Sequence, residues 1–179
     1  MKRLRPAVFL DRDGVLNEIV MRDGQPASPR TLEQLRLAPD IAAVDRLAEA
    51  GYLLFIATNQ PDVARGLIDT GTLDRMFAAI RGRVRIDDVR VCVHEDADGC
   101  ECRKPKPGML LDLARHWHVD LARSCMVGDM WRDVAAARAA GCRSVLIRRE
   151  YNRDAAPDVA VDTLADAVAW VLGETGGAE

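Results

Sequence analysis

The sequence is poor in aromatic residues, and its positive charge is not concentrated. Phe, Trp and Tyr make up 4% of the 179 residues, the net charge is −3, and the lysines and arginines are scattered along the chain. Proteins that bind single-stranded nucleic acid typically combine a basic groove with aromatic side chains that stack on bases. We therefore expect no nucleic-acid partner.

Long hydrophobic runs are also missing from the sequence. None approaches the roughly 20 apolar residues that a membrane-spanning helix needs. The basic start of the chain, residues 1–5, is followed by an apolar run of only Ala7 to Leu10, which is too short for a signal peptide. We therefore expect a cytoplasmic protein that does not associate with membranes, and we expect a monomer.

What the sequence does contain is typical of a soluble globular protein of one domain. Hydrophobic residues make up 49% and charged residues 30% of a chain long enough to bury a sizeable core. We therefore predict a single domain over residues 1–179, with a frayed tail at 173–179.

Strand-like and helix-like segments alternate along the chain. Short apolar runs predict strands at about 7–10, 52–57, 89–93, 124–128 and 144–147. Apolar residues at helical spacing predict helices at about 40–51 and 72–83, after Pro107-Gly108, from about 132 to 141, and near 163–172. This alternation indicates an α/β fold, a three-layer Rossmann-like sandwich around a central parallel sheet.

Two aspartates follow the first apolar run directly. Alternate side chains of a strand point to the same side, so Asp11 and Asp13 can face one small volume. Two carboxylates there repel each other unless a cation lies between them or one holds a proton. Either arrangement suits phosphoryl transfer. The alternative is a solvated surface turn, because Asp and Gly are common in turns.

Further polar residues follow the later apolar runs. Thr58 and Asn59 end the second run, Lys104 follows a cysteine cluster, and Asp129 ends the fourth. In a parallel sheet, ligands bind at the carboxyl ends of the strands. We therefore expect these side chains to meet the aspartate pair in one crevice.

The order of these residues resembles the four motifs of the haloacid dehalogenase superfamily of phosphohydrolases, over about residues 7–150. Finer features resemble the branch that contains the heptose bisphosphate phosphatases and the histidinol-phosphate phosphatases. They are the segments Asp13-Gly14-Val15-Leu16-Asn17, Thr58-Asn59-Gln60, Ala64-Arg65-Gly66 and Cys-x-Cys-Arg-Lys-Pro-x-Pro-Gly-Met at 100–109.

The resemblance implies a catalytic role for each matching residue. Asp11 would be the nucleophile that forms an aspartyl-phosphate, and Asp13 the general acid and base. The Thr58 hydroxyl and the Asn59 backbone amide would bind the phosphoryl oxygens. Lys104 would supply positive charge next to the nucleophile.

The resemblance also implies a catalytic Mg²⁺ and a sheet order. Asp129 would hold the ion together with Asp11 and the main-chain carbonyl of Asp13, while Asp133 would lie in a second shell or form a salt bridge near the start of its helix. The strands, numbered along the chain, would have the order 5-4-1-2-3.

The spacing of the motifs leaves no room for an extra domain. The intervals from Asp11 to Thr58 and from Thr58 to Lys104 are each just long enough for a loop, a helix and a strand. We therefore predict a site without the cap domain that many superfamily members carry. Loops at 14–30 and 92–103 would cover it.

A cysteine–histidine cluster predicts a structural zinc site in the loop 92–102. Cys92 and His94 would point the same way if the third strand extends that far, and Cys100 and Cys102 can complete a Cys₃His tetrahedron. The alternative is three buried cysteines and a surface histidine, but the intervening segment is too polar for a core. A Cys100–Cys102 disulfide would be strained. The resembling family carries the same cluster.

Arg65 and Arg103 are candidate contacts for a second phosphate, since arginine can bind phosphate through two parallel hydrogen bonds. The alternative for each is a solvated salt bridge. Two departures from the family pattern affect the nearby loops: Pro61-Asp62 replaces the usual Ser-Gly, and His94-Glu95-Asp96 replaces a Pro-His-His-Pro-like run. The acidic residues add negative charge near an anionic ligand.

The sequence therefore predicts a Mg²⁺-dependent phosphomonoesterase with a structural zinc. By resemblance, its substrate would be a small phosphorylated metabolite, a sugar bisphosphate such as D-glycero-D-manno-heptose 1,7-bisphosphate, which would lose its 7-phosphate. The alternatives are a histidinol-phosphate phosphatase, a nucleic-acid 3′-phosphatase, and a non-catalytic zinc-stabilised binding module.

Overall fold

The structure is a computed structural model that describes residues 4–152 and 154–173. The predicted frayed tail lies outside the described residues from 174 onward, as do the first three residues of the basic start.

A six-stranded parallel sheet forms the centre of the fold. Its strands are β1 (Ala7–Leu10), β4 (Leu53–Asn59), β5 (Asp88–Cys92), β6 (Cys125–Gly128), β7 (Arg143–Ile147) and β8 (Val159–Val161), and β2 (Val20–Arg22) pairs with β3 (Gln25–Ala27) in a separate hairpin. The order across the sheet is β5-β4-β1-β6-β7-β8. The five predicted strands thus have the predicted order, and β8 extends the sheet at one edge.

In the described part of the chain, five α-helices flank the sheet: α1 (Asp45–Glu49), α2 (Thr70–Arg81), α3 (Gly108–Trp117), α4 (Trp131–Ala140) and α5 (Leu164–Val171). The helix predicted at 40–51 begins as a 3-10 turn, Ile41–Val44, and continues as α1. Helix α2 begins two residues before its predicted start because Asp69 caps it, accepting a hydrogen bond from the Thr72 amide at 2.8 Å.

The alternation along β1 separates the core into two layers. Val8 and Leu10 face one side, where they pack with residues of α1, α2 and α5. Ala7 and Phe9 face the other side, where they pack with α3 and α4. Burial on both faces explains why the strand is a continuous apolar run.

The central position of β1 brings the polar strand ends together. It pairs in parallel with β4 on one side and with β6 on the other. The Asp11 amide continues this register by donating to the Val127 carbonyl at 2.9 Å. Residues that follow β1, β4 and β6 therefore meet at one end of the sheet.

No inserted domain interrupts the fold in the described intervals 11–52 and 60–87. The first contains the hairpin, the 3-10 turns Leu32–Gln34 and Ile41–Val44, and α1, and the second contains α2. The predicted lack of a cap is confirmed. The longest described helix, α2, has 12 residues, and none of the described helices has the length and hydropathy needed to cross a bilayer.

Candidate active site

A cavity of about 260 Å³ opens at the carboxyl ends of β1, β4 and β6. Loop 14–30 contributes part of its wall, as predicted, whereas loop 92–103 contributes only its last residue. The cavity brings together all eight residues predicted for catalysis, substrate binding and Mg²⁺ binding: Asp11, Asp13, Thr58, Asn59, Arg65, Arg103, Lys104 and Asp129.

Asp11 and Lys104 form a buried ion pair at the base of the cavity. The Lys104 ammonium lies 3.1 Å from Asp11 Oδ1 and 2.6 Å from Asp133 Oδ1, and it donates to the Ala57 carbonyl at 2.8 Å. Burial alone would lower the Lys104 pKa, but the two carboxylates raise it to about 12. Lys104 is therefore a fixed positive charge beside Asp11.

Asp133 supports this arrangement from the start of α4. Its second oxygen accepts hydrogen bonds from the backbone amides of Asp129 at 3.2 Å and Met130 at 3.0 Å. The approach is close: a Cβ on Gly128 would lie 2.2 Å from the Asp133 Cβ. Asp133 thus pairs with Lys104 and caps its helix, and both of its oxygens are engaged.

Three carboxylates crowd around this single ammonium. One ligand oxygen from each of Asp11, Asp129 and Asp133 lies within 4.8 Å of the others. Burial, with repulsion from Asp133 and Asp13, raises the pKa of Asp11 to about 6 against the opposing effect of Lys104. Burial and repulsion likewise raise the pKa of Asp129 well above its usual value. The site has an excess of negative charge.

This donor set fits a hard divalent cation such as Mg²⁺, which prefers carboxylate and carbonyl oxygens. Asp11 and Asp129 are the carboxylates available to it, because Asp133 is already engaged. Gly14 leaves room for Asp129: it has φ +77°, and a Cβ there would lie 2.0 Å from Asp129 Oδ2. Any other residue at position 14 would displace that carboxylate.

Asp13 lies in a different environment. Its Oδ1 accepts from Arg12 Nε at 3.0 Å and Asn17 Nδ2 at 2.9 Å, and its Oδ2 accepts from Arg12 Nη2 at 3.0 Å, Gln60 Nε2 at 2.8 Å and Ser28 Oγ at 2.7 Å. Burial acts to raise the pKa of Asp13, but Arg12 and the other donors together lower it. The carboxylate form is therefore strongly favoured.

Arg12 is a functional residue that the motif analysis missed. Its side chain is fully buried and points away from the cavity toward α2, with its guanidinium 5.8 Å from the centre of the Phe77 ring. The sequence did carry a signal: a lone arginine between two aspartates at the end of a buried strand can be buried only with charged partners.

The Thr58-Asn59-Gln60 segment connects the other groups. Gln60 Nε2 donates to Thr58 Oγ1 at 3.0 Å, so the Thr58 hydroxyl hydrogen remains available to the cavity. The Asn59 side chain donates to the Lys104 carbonyl at 3.0 Å and accepts from the Lys104 amide at 3.1 Å. Asn59 thereby fixes the loop that carries Lys104, a role that the sequence did not reveal.

Both candidate arginines at the cavity rim are in ion pairs. Arg103 is 8% exposed, and it donates to Asp96 at 2.6 Å and to the His94 carbonyl at 3.1 Å. Arg65 is half-exposed and pairs with Glu95 and with Asp62. The salt-bridge alternative therefore describes both side chains in this structure, and the acidic residues of the altered loops are their partners.

The cysteine–histidine cluster lies beside the cavity. Strand β5 ends at Cys92, so the idea that it extends to His94 is wrong, but the loop still returns His94 Nδ1 to 3.6 Å from Cys92 Sγ and 3.3 Å from Cys102 Sγ. The sulfur–sulfur distances are 3.7 Å for Cys92–Cys100, 3.2 Å for Cys92–Cys102 and 3.5 Å for Cys100–Cys102.

These separations fit a tetrahedral zinc site. With Zn–S bonds of about 2.3 Å, ligand atoms at the corners of a tetrahedron lie roughly 3.8 Å apart. The observed sulfur–sulfur distances of 3.2–3.7 Å are too long for disulfides and close to this value.

Two more residues missed by the sequence analysis contact Asp129. The Tyr151 hydroxyl donates to Asp129 Oδ2 at 2.5 Å, and Asn152 Nδ2 donates to the Asp129 carbonyl at 2.8 Å. Both lie in a polar segment after β7 that carries no strand, helix or motif pattern.

Comparison with known proteins identifies the family. A family model described as HAD-hydrolase-like matches residues 101–169. The D-glycero-β-D-manno-heptose-1,7-bisphosphate 7-phosphatase of Rhodopseudomonas palustris is 49% identical over 76% of this chain and 80% of its own length. The enzyme of the same name from Bordetella bronchiseptica is 44% identical over 82% of each chain.

A solved structure agrees with these relatives. The D,D-heptose 1,7-bisphosphate phosphatase of B. bronchiseptica, crystallised with magnesium and phosphate, superimposes with a TM-score of 0.83 at 34% identity, covering 95% of this chain and 99% of that one. The chain belongs to the heptose-1,7-bisphosphate 7-phosphatase family of the haloacid dehalogenase-like hydrolases.

Proposed function

We propose that the chain is a Mg²⁺-dependent phosphomonoesterase that removes the 7-phosphate of D-glycero-β-D-manno-heptose 1,7-bisphosphate. The observation that carries the chemistry is the buried cluster of Asp11, Lys104 and Asp129 at the base of an open cavity. The substrate is proposed from the relatives, several of which are named for this reaction.

Asp11 acts as the nucleophile. One of its oxygens attacks phosphorus, the bond from phosphorus to the sugar oxygen breaks, and an aspartyl-phosphate forms. Lys104, 3.1 Å away, keeps Asp11 ionised and offsets charge on the transferring group. The Thr58 hydroxyl and the Asn59 backbone amide bind phosphoryl oxygens.

Asp13 handles the protons. In the second step its carboxylate takes a proton from the water that attacks the aspartyl-phosphate. In the first step it delivers a proton to the departing sugar alkoxide, and because its pKa is lowered in the substrate-free protein, it holds that proton only when the negative charge of the bound phosphate raises the pKa. The five donors around Asp13 stabilise its carboxylate, which is the form that the second step requires.

Mg²⁺ would be held by Asp11, Asp129 and the main-chain carbonyl of Asp13. When bound, it would supply positive charge against the carboxylates and the phosphoryl oxygens. The magnesium in the crystals of the Bordetella enzyme supports this assignment.

Zinc would occupy the cluster of Cys92, His94, Cys100 and Cys102. Four protein ligands leave no open position, so this zinc would be structural rather than catalytic. The separations of the ligand atoms support the proposal. A cluster that requires thiolates also favours a reducing compartment, which supports the expected cytoplasmic location.

The residues at the rim would select the substrate, since the described residues form no cap domain over the cavity. Arg103, with Arg65, would bind the phosphate that is not cleaved. To do so, each exchanges an acidic partner for the substrate: Asp96 in the case of Arg103, and Glu95 in the case of Arg65. The two acidic residues thus tune affinity for the bisphosphate.

A substrate panel tests the function. Release of phosphate is measured with and without Mg²⁺ from both anomers of the heptose bisphosphate, from histidinol phosphate, from a 3′-phosphorylated oligonucleotide and from an aryl phosphate. Asp11→Asn serves as the inactive control, because an amide cannot replace the attacking carboxylate.

We expect the highest kcat/KM for the β-heptose bisphosphate and a requirement for Mg²⁺. A higher value for histidinol phosphate would leave the chemistry in place and overturn the substrate. Phosphatase activity retained by Asp11→Asn would overturn the nucleophile, and inactivity on every compound would favour a binding module.

A further inference from the structure

The segment after β7 crosses the ends of β1 and β6. We call residues 149–152 the strap. Arg149 Nη2 donates to the Gly14 carbonyl at 3.1 Å, and Asn152 Nδ2 donates to the carbonyls of Asp129 and Ile147, each at 2.8 Å. The strap is thus hydrogen-bonded to both loops from which Mg²⁺ ligands are proposed.

Asp129 is held by the strap at two points. Tyr151 fixes its side chain through the 2.5 Å hydrogen bond to Oδ2, and Asn152 fixes its main chain through the carbonyl. Gly14, whose carbonyl is bound by Arg149, lies close to the same Oδ2. Asn152 itself is 8% exposed, so this contact is part of the interior.

We propose that Tyr151 is a positioning residue for the metal site: its hydroxyl holds one oxygen of Asp129 and leaves the other for the cation. The inference rests on the proposed function, which places Mg²⁺ at Asp11 and Asp129. Tyr151 contacts Asp129, and it acts through this carboxylate.

The hydrogen bond restricts how Asp129 can bind a cation. The Tyr151 hydroxyl occupies Oδ2, so one oxygen of the carboxylate remains for the ion. Partners of this kind orient a metal ligand before the metal arrives.

Metal affinity is the direct test, with Tyr151→Phe as the variant. The substitution removes one hydroxyl and keeps the ring. The chain contains two tyrosines, so Tyr52→Phe is a matched control: Tyr52 precedes β4 at the opposite end of the sheet, and its hydroxyl contacts the Val171 carbonyl at 3.5 Å. Mg²⁺ binding is measured by calorimetry on zinc-replete protein dialysed free of Mg²⁺.

We expect Tyr151→Phe to raise the Kd for Mg²⁺ by roughly 10- to 100-fold. Tyr52→Phe should leave it unchanged. Melting temperatures without Mg²⁺ should be similar for wild type and Tyr151→Phe, and saturating Mg²⁺ should restore most of kcat. An unchanged Kd in Tyr151→Phe would overturn the inference, as would a loss of kcat that added Mg²⁺ does not recover.

Asp129→Asn separates this inference from the proposed function. If Asp129→Asn loses Mg²⁺ binding while Tyr151→Phe keeps wild-type affinity, only the role of Tyr151 is wrong. If Asp129→Asn binds Mg²⁺ as the wild type does, the metal assignment fails, and the inference fails with it.

A second measurement follows the NMR signal of Tyr151 itself, without a substitution at that position. Protein labelled with 3-fluorotyrosine should give two ¹⁹F resonances, which Tyr52→Phe assigns. Addition of Mg²⁺ should shift the Tyr151 resonance and leave the Tyr52 resonance in place. A Tyr151 resonance that stays fixed through saturation would overturn the inference.

Discussion

Asp11 and Asp13 lie two residues apart, and their surroundings shift the two pKa values in opposite directions. Burial among carboxylates raises the pKa of Asp11 to about 6, whereas Arg12 and three further hydrogen bonds overcome burial and lower the pKa of Asp13. In the substrate-free protein this order is the reverse of the usual one, in which the general acid has the higher pKa. At the scale of single residues, proton donation by Asp13 therefore depends on the charge of the bound phosphate, while the side chains behind the cavity stabilise the carboxylate that acts as the base.

Asp13→Asn should reduce turnover in proportion to the basicity of the leaving group. Proton donation matters most when the departing alcohol is a poor leaving group, as a sugar is, and least for an acidic phenol. We expect kcat on the sugar phosphate to fall by roughly 10²- to 10⁴-fold and kcat on an aryl phosphate to fall much less. Equal losses on both substrates would show that Asp13 is not the general acid.

Arg103→Ala should lower kcat/KM for a sugar bisphosphate by roughly 10- to 100-fold, the value of one charge-assisted contact of about 1.5–3 kcal/mol. The aryl phosphate should change far less, because it has no second phosphate. Asp96→Asn, which releases Arg103, should raise the bisphosphate value a few-fold, since the Asp96 side chain is largely exposed and screened. Steady-state kinetics test both variants. Arg115→Ala, on α3, is the control and should leave kcat/KM unchanged for both substrates.

At the scale of elements, the loop between β5 and α3 contains little regular secondary structure. It contains one 3-10 turn, Asp96–Asp98. Arg103 links its two ends through Asp96 and the His94 carbonyl, and the four sulfur and nitrogen ligands can hold it closed around a metal. A metal bound only by the folded loop adds its binding energy to folding. The loop also carries Arg103, so its order affects the rim of the cavity.

Cys100→Ser should release zinc and lower the melting temperature. Buried Cys142 provides the matched control: Cys142→Ser also replaces a thiol in the interior, but the zinc should stay. Elemental analysis of protein purified without chelator should find close to one zinc per chain in the wild type and in Cys142→Ser. Absence of zinc from the wild type would contradict the cluster assignment.

A carboxylate directly before the edge strand β8 is hydrogen-bonded to β7. Asp158 accepts hydrogen bonds from the Ser144 amide and hydroxyl, each at 2.7 Å, and these contacts lower its pKa. A lowered pKa means that the folded protein favours the ionised form. The stabilisation is present above the unfolded pKa of about 3.9 and is lost as the pH falls through the folded value.

Asp158→Ala should therefore lower the free energy of unfolding at pH 7 by about 1 kcal/mol, with a smaller difference from wild type below pH 4. Urea denaturation at both pH values measures this. Asp154→Ala, at an exposed position nearby, serves as the control. A difference that persists unchanged at low pH would contradict the role of the ionised carboxylate.

The β2–β3 hairpin shows where sequence reasoning could have gone further. Asp23 and Gly24 both have positive φ, at 50° and 74°, as expected for the two central residues of a tight hairpin turn. The Asp-Gly pair was a readable signal, but strands of three residues are too short for their alternation to stand out. Strand β8 was missed for the same reason.

At the scale of the whole molecule, the parts predicted from sequence are those that follow periodicity. Alternation along β1 placed Asp11 and Asp13 together, and apolar runs located five of the six strands in the central sheet. The sheet order depended on the family resemblance, because periodicity does not say which strands are neighbours. Gln60 and Tyr151 were missed, since their roles depend on contacts between segments distant in sequence. Arg12 was missed although its pair with Asp13 is local.

The position of β1 has a consequence for how the enzyme is made. Ala7 donates to Ser124 across 117 residues of chain, and the strap reaches back from Asn152 to Asp129. When only the first hundred residues have left the ribosome, Asp11 and one neighbour of β1, strand β4, are present. The other neighbour, β6, and the second metal ligand, Asp129, have not yet emerged. During synthesis, the two aspartates therefore remain without their cation site until the last third of the chain has emerged.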